Sequence, residues 1–191
     1  LAHKWGLQGS LDSSHPFKAN AVDDLLKLFW KDKSLHKNHA VIHGSPTVVE
    51  NSQNGLSVIE YDSNQTDYHE WGDISDIRTV FSVVERNNSN TTFGGILGDD
   101  SANDFIAGSG NAVLGADAHI DIRNGLFRLN GSAVDGATST FPDSNYSIIT
   151  IRSTGNVEAS RIGKDRAISD TQYHFDGGYA ELLVYDIPLT D

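Results

Sequence analysis

The sequence predicts an all-β protein: an antiparallel two-sheet jelly-roll sandwich with one short helix, formed as a single domain over residues 1–191. Three observations predict it. Residues 179–185 alternate, with Tyr179, Glu181, Leu183 and Tyr185 on one side and Ala180, Leu182 and Val184 on the other. Both rows are largely apolar, as in a strand inside a sheet rather than at its edge. About a dozen short runs of this kind recur along the chain, and 18 glycines against four prolines suit that many turns. A helical period appears in one place only, residues 20–30, where Val22, Leu25, Leu26 and Phe29 follow Asn20 as N-cap.

In chain order, a strand is expected over residues 4–11, then a polar loop over 12–16 and the helix, which would cover one opening of the sandwich. Strands follow at 47–50 and 56–61. The strongest spans 77–85, where Ile77, Thr79, Phe81, Val83 and Glu85 alternate with Arg78, Val80, Ser82 and Val84. Further strands are expected at 93–97, 118–123 and 126–129, the last two joined by the hairpin signal Asn124-Gly125. Residues 146–152 and 157–162 read as a pair across 153–156. Asp176-Gly177-Gly178 turns the chain into the closing strand, and Pro188, lacking an N–H, ends it.

Composition narrows the function. Hydrophobic residues at 38% and charged residues at 21% describe a folded domain with a sizeable core. A net charge of −12 without a basic cluster argues against nucleic acid and anionic lipid as partners. The absence of cysteine removes disulfides, thiolate catalysis and thiolate metal sites together. No stretch approaches the length of a membrane span, so direct membrane insertion is not expected. The chain opens at Leu1 and is expected to be a monomeric module of a longer protein.

Residues 175–191, Phe-Asp-Gly-Gly-Tyr-Ala-Glu-Leu-Leu-Val-Tyr-Asp-Ile-Pro-Leu-Thr-Asp, resemble the closing strand of laminin-G-like domains in the concanavalin A-like lectin superfamily. Residues 30–40, with Trp30, Asp32, Ser34, Asn38 and Ala40, resemble the opening of many such domains; Asp32 and Asn38 would hydrogen-bond turns there. Residues 76–84, Asp-Ile-Arg-Thr-Val-Phe-Ser-Val-Val, resemble the family again. The superfamily includes lectins, adhesion modules, glycanases and passive spacers, so the resemblance speaks to fold more than to function.

The first candidate site is the loop after the expected strand at 93–97. Gly98 is followed within six residues by Asp99, Asp100, Asn103 and Asp104. A glycine-led bend can turn several oxygens on one point, as Ca²⁺ requires, although the EF-hand spacing is absent. The alternative is an acidic turn whose aspartates cap backbone N–H groups. The Ile-Leu-Gly-Asp and Asp-Phe pairs here are similar to a loop in modules of large bacterial surface adhesins. That resemblance implies a loop-held Ca²⁺ anchoring a peptide or sugar. Gly98, Asp99, Asp100, Ser101 and Asn103 are the ligand-binding candidates, and Asp99, Asp100, Asn103 and Asp104 the metal candidates.

The second candidate is a row of Asp117, His119, Asp121 and Arg123, which share one face if 118–123 is a strand. Such a row either faces solvent or contacts a ligand. Glycanases of this superfamily carry paired glutamates on such a strand, and here His and Arg stand instead, which counts against hydrolysis. His36, His39 and His43 offer a zinc spacing, but Lys33 and Lys37 among them would repel the ion. Glu181 would be a buried carboxylate, either a catalytic or metal residue or, the reading preferred, a structural acceptor toward a loop or toward Arg161 or Arg166. Tyr61, Tyr68, His69 and Trp71 flank an acidic loop and could stack on a sugar ring or pack beneath the loop. Sequons at Asn64, Asn87, Asn90, Asn130 and Asn145 would matter only in a eukaryotic secreted protein.

The function expected is non-enzymatic: a lectin-like, extracellular adhesion module at a cell surface, binding a glycan or peptide of a host or neighbouring cell with the help of Ca²⁺. A polysaccharide-cleaving enzyme using His119, Asp121 and Tyr173, or a passive spacer, are the alternatives.

Overall fold

Val, Ile, Tyr and Phe in alternating runs need a pleated partner on each side, and the chain supplies it from distant segments. The computed structural model describes residues 29–87, 93–142, 145–166 and 171–190. Its strands are β1 (Phe29–Trp30), β2 (Ala40–His43), β3 (Thr47–Gln53), β4 (Leu56–Tyr61), β5 (Tyr68–Arg86), β6 (Leu126–Leu129), β7 (Ser132–Ala133), β8 (Ser147–Ile162) and β9 (Gly177–Tyr185). Among the described residues the α-helix is a single turn, α1 (Ile120–Arg123). The strand expected over 4–11 and most of the helix expected over 20–30 lie outside the described residues; Phe29 and Trp30 are in β1.

The all-β class is as expected. Among the described residues all strand pairs are antiparallel, and hydrogen bonds link the strands in one sheet ordered β3-β4-β9-β5-β8-β6-β7, with β1 and β2 attached at the start of β5. The closing strand β9 lies inside the sheet, between β4 and β5. Two long strands carry the architecture. The second part of β5 pairs with β9 and with residues 147–152 of β8; its first part pairs with β2 and with residues 157–162 of β8. Three register shifts separate these stretches, at Glu70/Ile74, Ile74/Ile77 and Ile77/Thr79, and such shifts bend a ladder.

One core serves both stretches. Val80, Val84, Ile149, Ile151 and Tyr179 belong to the same buried cluster as Ile77, Val157, Ala159 and Ile162. Ile96, Leu97, Phe105, Ile106, Val113, Leu114, Ala118 and Ile122 pack into it from the connection between β5 and β6. The described part of that connection is mostly irregular, and backbone groups in it bond to one another or to β8. Gly115 N–H bonds to Ile106 O, Ala107 N–H to Phe93 O, and Gly98 N–H to Arg161 O.

Four expectations are corrected. Residues 93–97 form no strand; only Gly98 bridges, to Arg161. Residues 118–123 are not a strand but the approach to α1 and the helix itself, because the His119 ring accepts from Asp121 N–H and caps the turn. Asn124-Gly125 is consequently no hairpin: Asn124 is the C-cap, its N–H bonded to Ile120 O. The type I′ geometry sits instead at Asn54-Gly55 and Asn130-Gly131, with φ of 50° and 77°, and 50° and 81°. Residues 147–162 run as a single strand rather than a pair, and the hydroxyl of Ser153, bonded to Gly155 O at 2.6 Å, marks the irregularity at its centre.

Candidate functional site

Five segments meet at the corner led by Gly98: the loop it opens, the approach to α1, the start of β5, the end of β8 and residues 163–166 after it. Gly98 allows the meeting. Its backbone is bonded to β8 on both sides, N–H to Arg161 O and O from Ser160 and Arg161 N–H. A Cβ there would stand 2.1 Å from Lys164 O and 3.0 Å from Asp165 Cα, so no side chain fits.

The acidic loop is largely tied inward. Asp99 is 3% exposed, and its Oδ1 accepts from Ser101 N–H (2.8 Å), Ser101 hydroxyl (3.0 Å) and Ala102 N–H (3.2 Å). Burial alone would raise its pKa; the hydrogen bonds from Ser101 and Ala102, with the Ser160 hydroxyl nearby, outweigh burial and hold it below the ordinary value. Asp104, also buried, accepts from Glu158 N–H at 2.9 Å and so pins the loop to β8. Asp100 turns outward and pairs with Arg161 at 2.8 Å. The Asn103 amide donates to Asp117 O, and His119 N–H bonds to Asp104 O, so the loop is stitched to the approach to α1.

The two candidate constellations are therefore neighbours, although not in the way alternation suggested. Asp117, His119, Asp121 and Arg123 form no row on a strand face. His119 caps α1 and lies 3.6 Å from Asp121. Asp121 accepts from the Thr154 hydroxyl at 2.5 Å, beside Gly155, where a Cβ would strike its carboxylate at 2.4 Å. Arg123 donates to Ala116 O, while Asp117 is exposed.

Arg161 is the hub that spacing does not reveal. It is 3% exposed, yet its guanidinium bonds Glu70 at 2.5 Å, Asp100 at 2.8 Å and Arg166 O at 3.1 Å. The ring of Tyr68 lies 5.5 Å from that guanidinium and 5.2 Å from the Lys164 amine, and His43 stacks on Tyr68 at 4.3 Å. His43 also reaches Glu70 at 3.2 Å. The signal was present in the alternation of β5, which sends Tyr68 and Glu70 to the opposite face from His69, but the partners come from residues some 60 to 90 positions away.

The remaining candidates separate. Tyr61 and His69 go into the core, joined hydroxyl to Nδ1 at 2.6 Å, and Trp71 packs against it. His39 accepts from Asp32 N–H while His36 is exposed, and among the described residues no group of three or more His, Cys, Asp or Glu side chains is gathered for a metal ion. Asp32 accepts from Ser34 and Asn38 N–H, the turn-holding part expected of it. Glu181, expected to be buried, is exposed. Tyr173 stacks on Phe93, with Arg166 over its ring.

Carboxylates dominate the corner's electrostatics. Glu158 is raised by partial burial and then by Asp99, Asp104 and Asp73. Burial pushes Asp165 up to about 6 against the pull of Arg166 and Arg161, with Asp99 adding to the rise. Compared with protein-family models, with curated proteins and with solved structures, the chain matches none.

Proposed function

We propose that the chain is a non-enzymatic recognition module of an extracellular, cell-surface adhesin, with the laminin-G-like two-layer jelly-roll arrangement. In this reading the two parts of β5 and β8 belong to the two layers, and their shared core supports it. The module binds a glycan or a peptide at the Gly98 corner, and Ca²⁺ orders that corner by neutralising its carboxylates.

The observation that carries this reading is the convergence of the exposed Asp100 and a stacked Tyr68–His43 pair, from separate segments, around the buried, ion-paired guanidinium of Arg161. Charged and aromatic groups fixed by one another are what a polar ligand needs for orientation. The enzyme alternative asks for an acid–base pair with a third group in reach. His119 and Asp121 adjoin, but their partners are the α1 turn and Thr154, and Tyr173 is engaged with Phe93.

The test is a glycan and peptide array probed with the chain in Ca²⁺ and in EDTA, beside turnover assays on polysaccharides. The reading expects ligand retention in Ca²⁺, its loss in EDTA, and no turnover. Turnover abolished by His119→Ala would replace it with the enzyme.

A further inference from the structure

Two of the corner's carboxylates are only half used. Asp99 spends Oδ1 on its own loop, and its Oδ2 is buried with no hydrogen-bond partner. Asp165 is 1% exposed; its Oδ2 accepts from Arg166 Nε at 3.0 Å, and its Oδ1 is likewise buried without a partner. Ser160, 2% exposed, has a hydroxyl with no aligned partner either, yet it lies near enough to Asp99 to favour its ionised form. The backbones of Ser160 and Asp165 both meet that of Gly98, the residue before Asp99. Ser160 N–H bonds to Gly98 O, and the missing Cβ of Gly98 would touch Asp165 Cα.

A buried carboxylate oxygen without a donor costs free energy, and two such groups close together cost more through mutual repulsion. Hydroxyl and carboxylate oxygens are hard ligands, and a divalent cation of oxygen preference removes both costs at once. We infer that Asp99 Oδ2, Asp165 Oδ1 and the Ser160 hydroxyl hold a buried Ca²⁺, with water completing its shell, as a clasp between the Gly98 loop and residues 163–166. This deepens the calcium reading proposed above and rests on it. It moves the ion inward, from Asp100, Asn103 and Asp104 to a set that spans two loops. Asp100, Asn103 and Asp104 are already engaged with Arg161, Asp117 O and Glu158 N–H. The ion then orders the rim from beneath and does not touch the docked ligand.

Calorimetric titration of CaCl₂ into the chelator-stripped chain tests the clasp, alongside the D165N, S160A and D100N variants. Wild type and D100N should bind one ion with equal affinity, D165N at least ten-fold more weakly, and S160A more weakly than wild type. Melting in EDTA checks folding: D165N, relieved of a buried charge, should melt no lower than wild type, and S160A keeps both carboxylates should D165N fail to fold. Wild-type affinity in D165N and S160A, or loss of binding in D100N, overturns the clasp and leaves calcium in the outer loop standing. A wild-type chain that binds no Ca²⁺ overturns the clasp and the calcium part of the recognition reading together, and the array in EDTA then judges recognition alone.

Discussion

His69 and Asp165 are both buried, with opposite consequences for pH. Burial, and then His43, lowers the His69 pKa to about 4, so the fold favours its neutral form. That contribution is whole above the unfolded value near 6.5 and is lost as pH falls toward the folded value; 2–3 units correspond to about 3 kcal/mol. The Asp165 pKa is raised to about 6, so the fold favours its protonated form. Its contribution is whole below the unfolded value near 3.8 and is lost as pH rises through about 6. Between pH 4 and 6 the two slopes oppose each other. In EDTA, denaturation across this window should therefore separate the variants. Relative to wild type, H69Q should gain stability on acidification and D165N should lose it, the slopes rather than the absolute values being compared. Parallel profiles in all three proteins would contradict these assignments. At this scale the sequence was informative about which residues would gather, since Asp99, Asp100, Asn103 and Asp104 do share one loop. Of its two readings of what would hold them, a cation or capping of backbone N–H groups, the second describes Asp99, which accepts from Ser101 and Ala102 N–H, but neither names the distant partners. Asp104 is matched to Glu158 and Asp100 to Arg161, and such partners are fixed by topology, not spacing.

The strands were legible where alternation was strong and one register sufficed. Residues 56–61 and 126–129 form β4 and β6 with the expected bounds. The stretch 118–123 alternates just as well but forms α1, because His119 caps a turn that Asp104 O and Gly125 close at either side. β9 shows why alternation alone misplaces side chains. Val83 pairs with Glu181 while the next residue, Val84, pairs with Tyr179, so Ala180 is bulged out. The extra residue changes the phase. Tyr179 faces the core, and so do Leu182 and Val184, two and four places after the bulge, while Glu181 and Leu183 turn outward. This is the physical reason that Glu181 is exposed. Leu182→Ala should cost about 1–3 kcal/mol by the burial it loses, and Leu183→Ala within about 0.5 kcal/mol. Urea denaturation of the two variants checks the phase, and the reverse order would refute it.

On the scale of the whole chain, 26 acidic residues face 14 lysines and arginines, and part of that excess is concentrated at the Gly98 corner. Overall charge bears on the class of partner to expect, not on where in the fold a site would form. The place depends on β5 and β8 bringing Tyr68, Glu70 and Arg161 beside a loop that branches off between them. If calcium completes this corner, it must bind the folded chain and not the unfolded one, and linkage then raises the melting temperature. At a free concentration 100-fold above the dissociation constant the stabilisation is about 2.7 kcal/mol. For a chain of this size that corresponds to a rise of about 5–10 °C. Scanning calorimetry of the chelator-stripped chain, with Ca²⁺ and with EDTA, reads this directly. The account predicts a melting temperature several degrees higher in Ca²⁺, rising with its concentration; superimposable curves would contradict it.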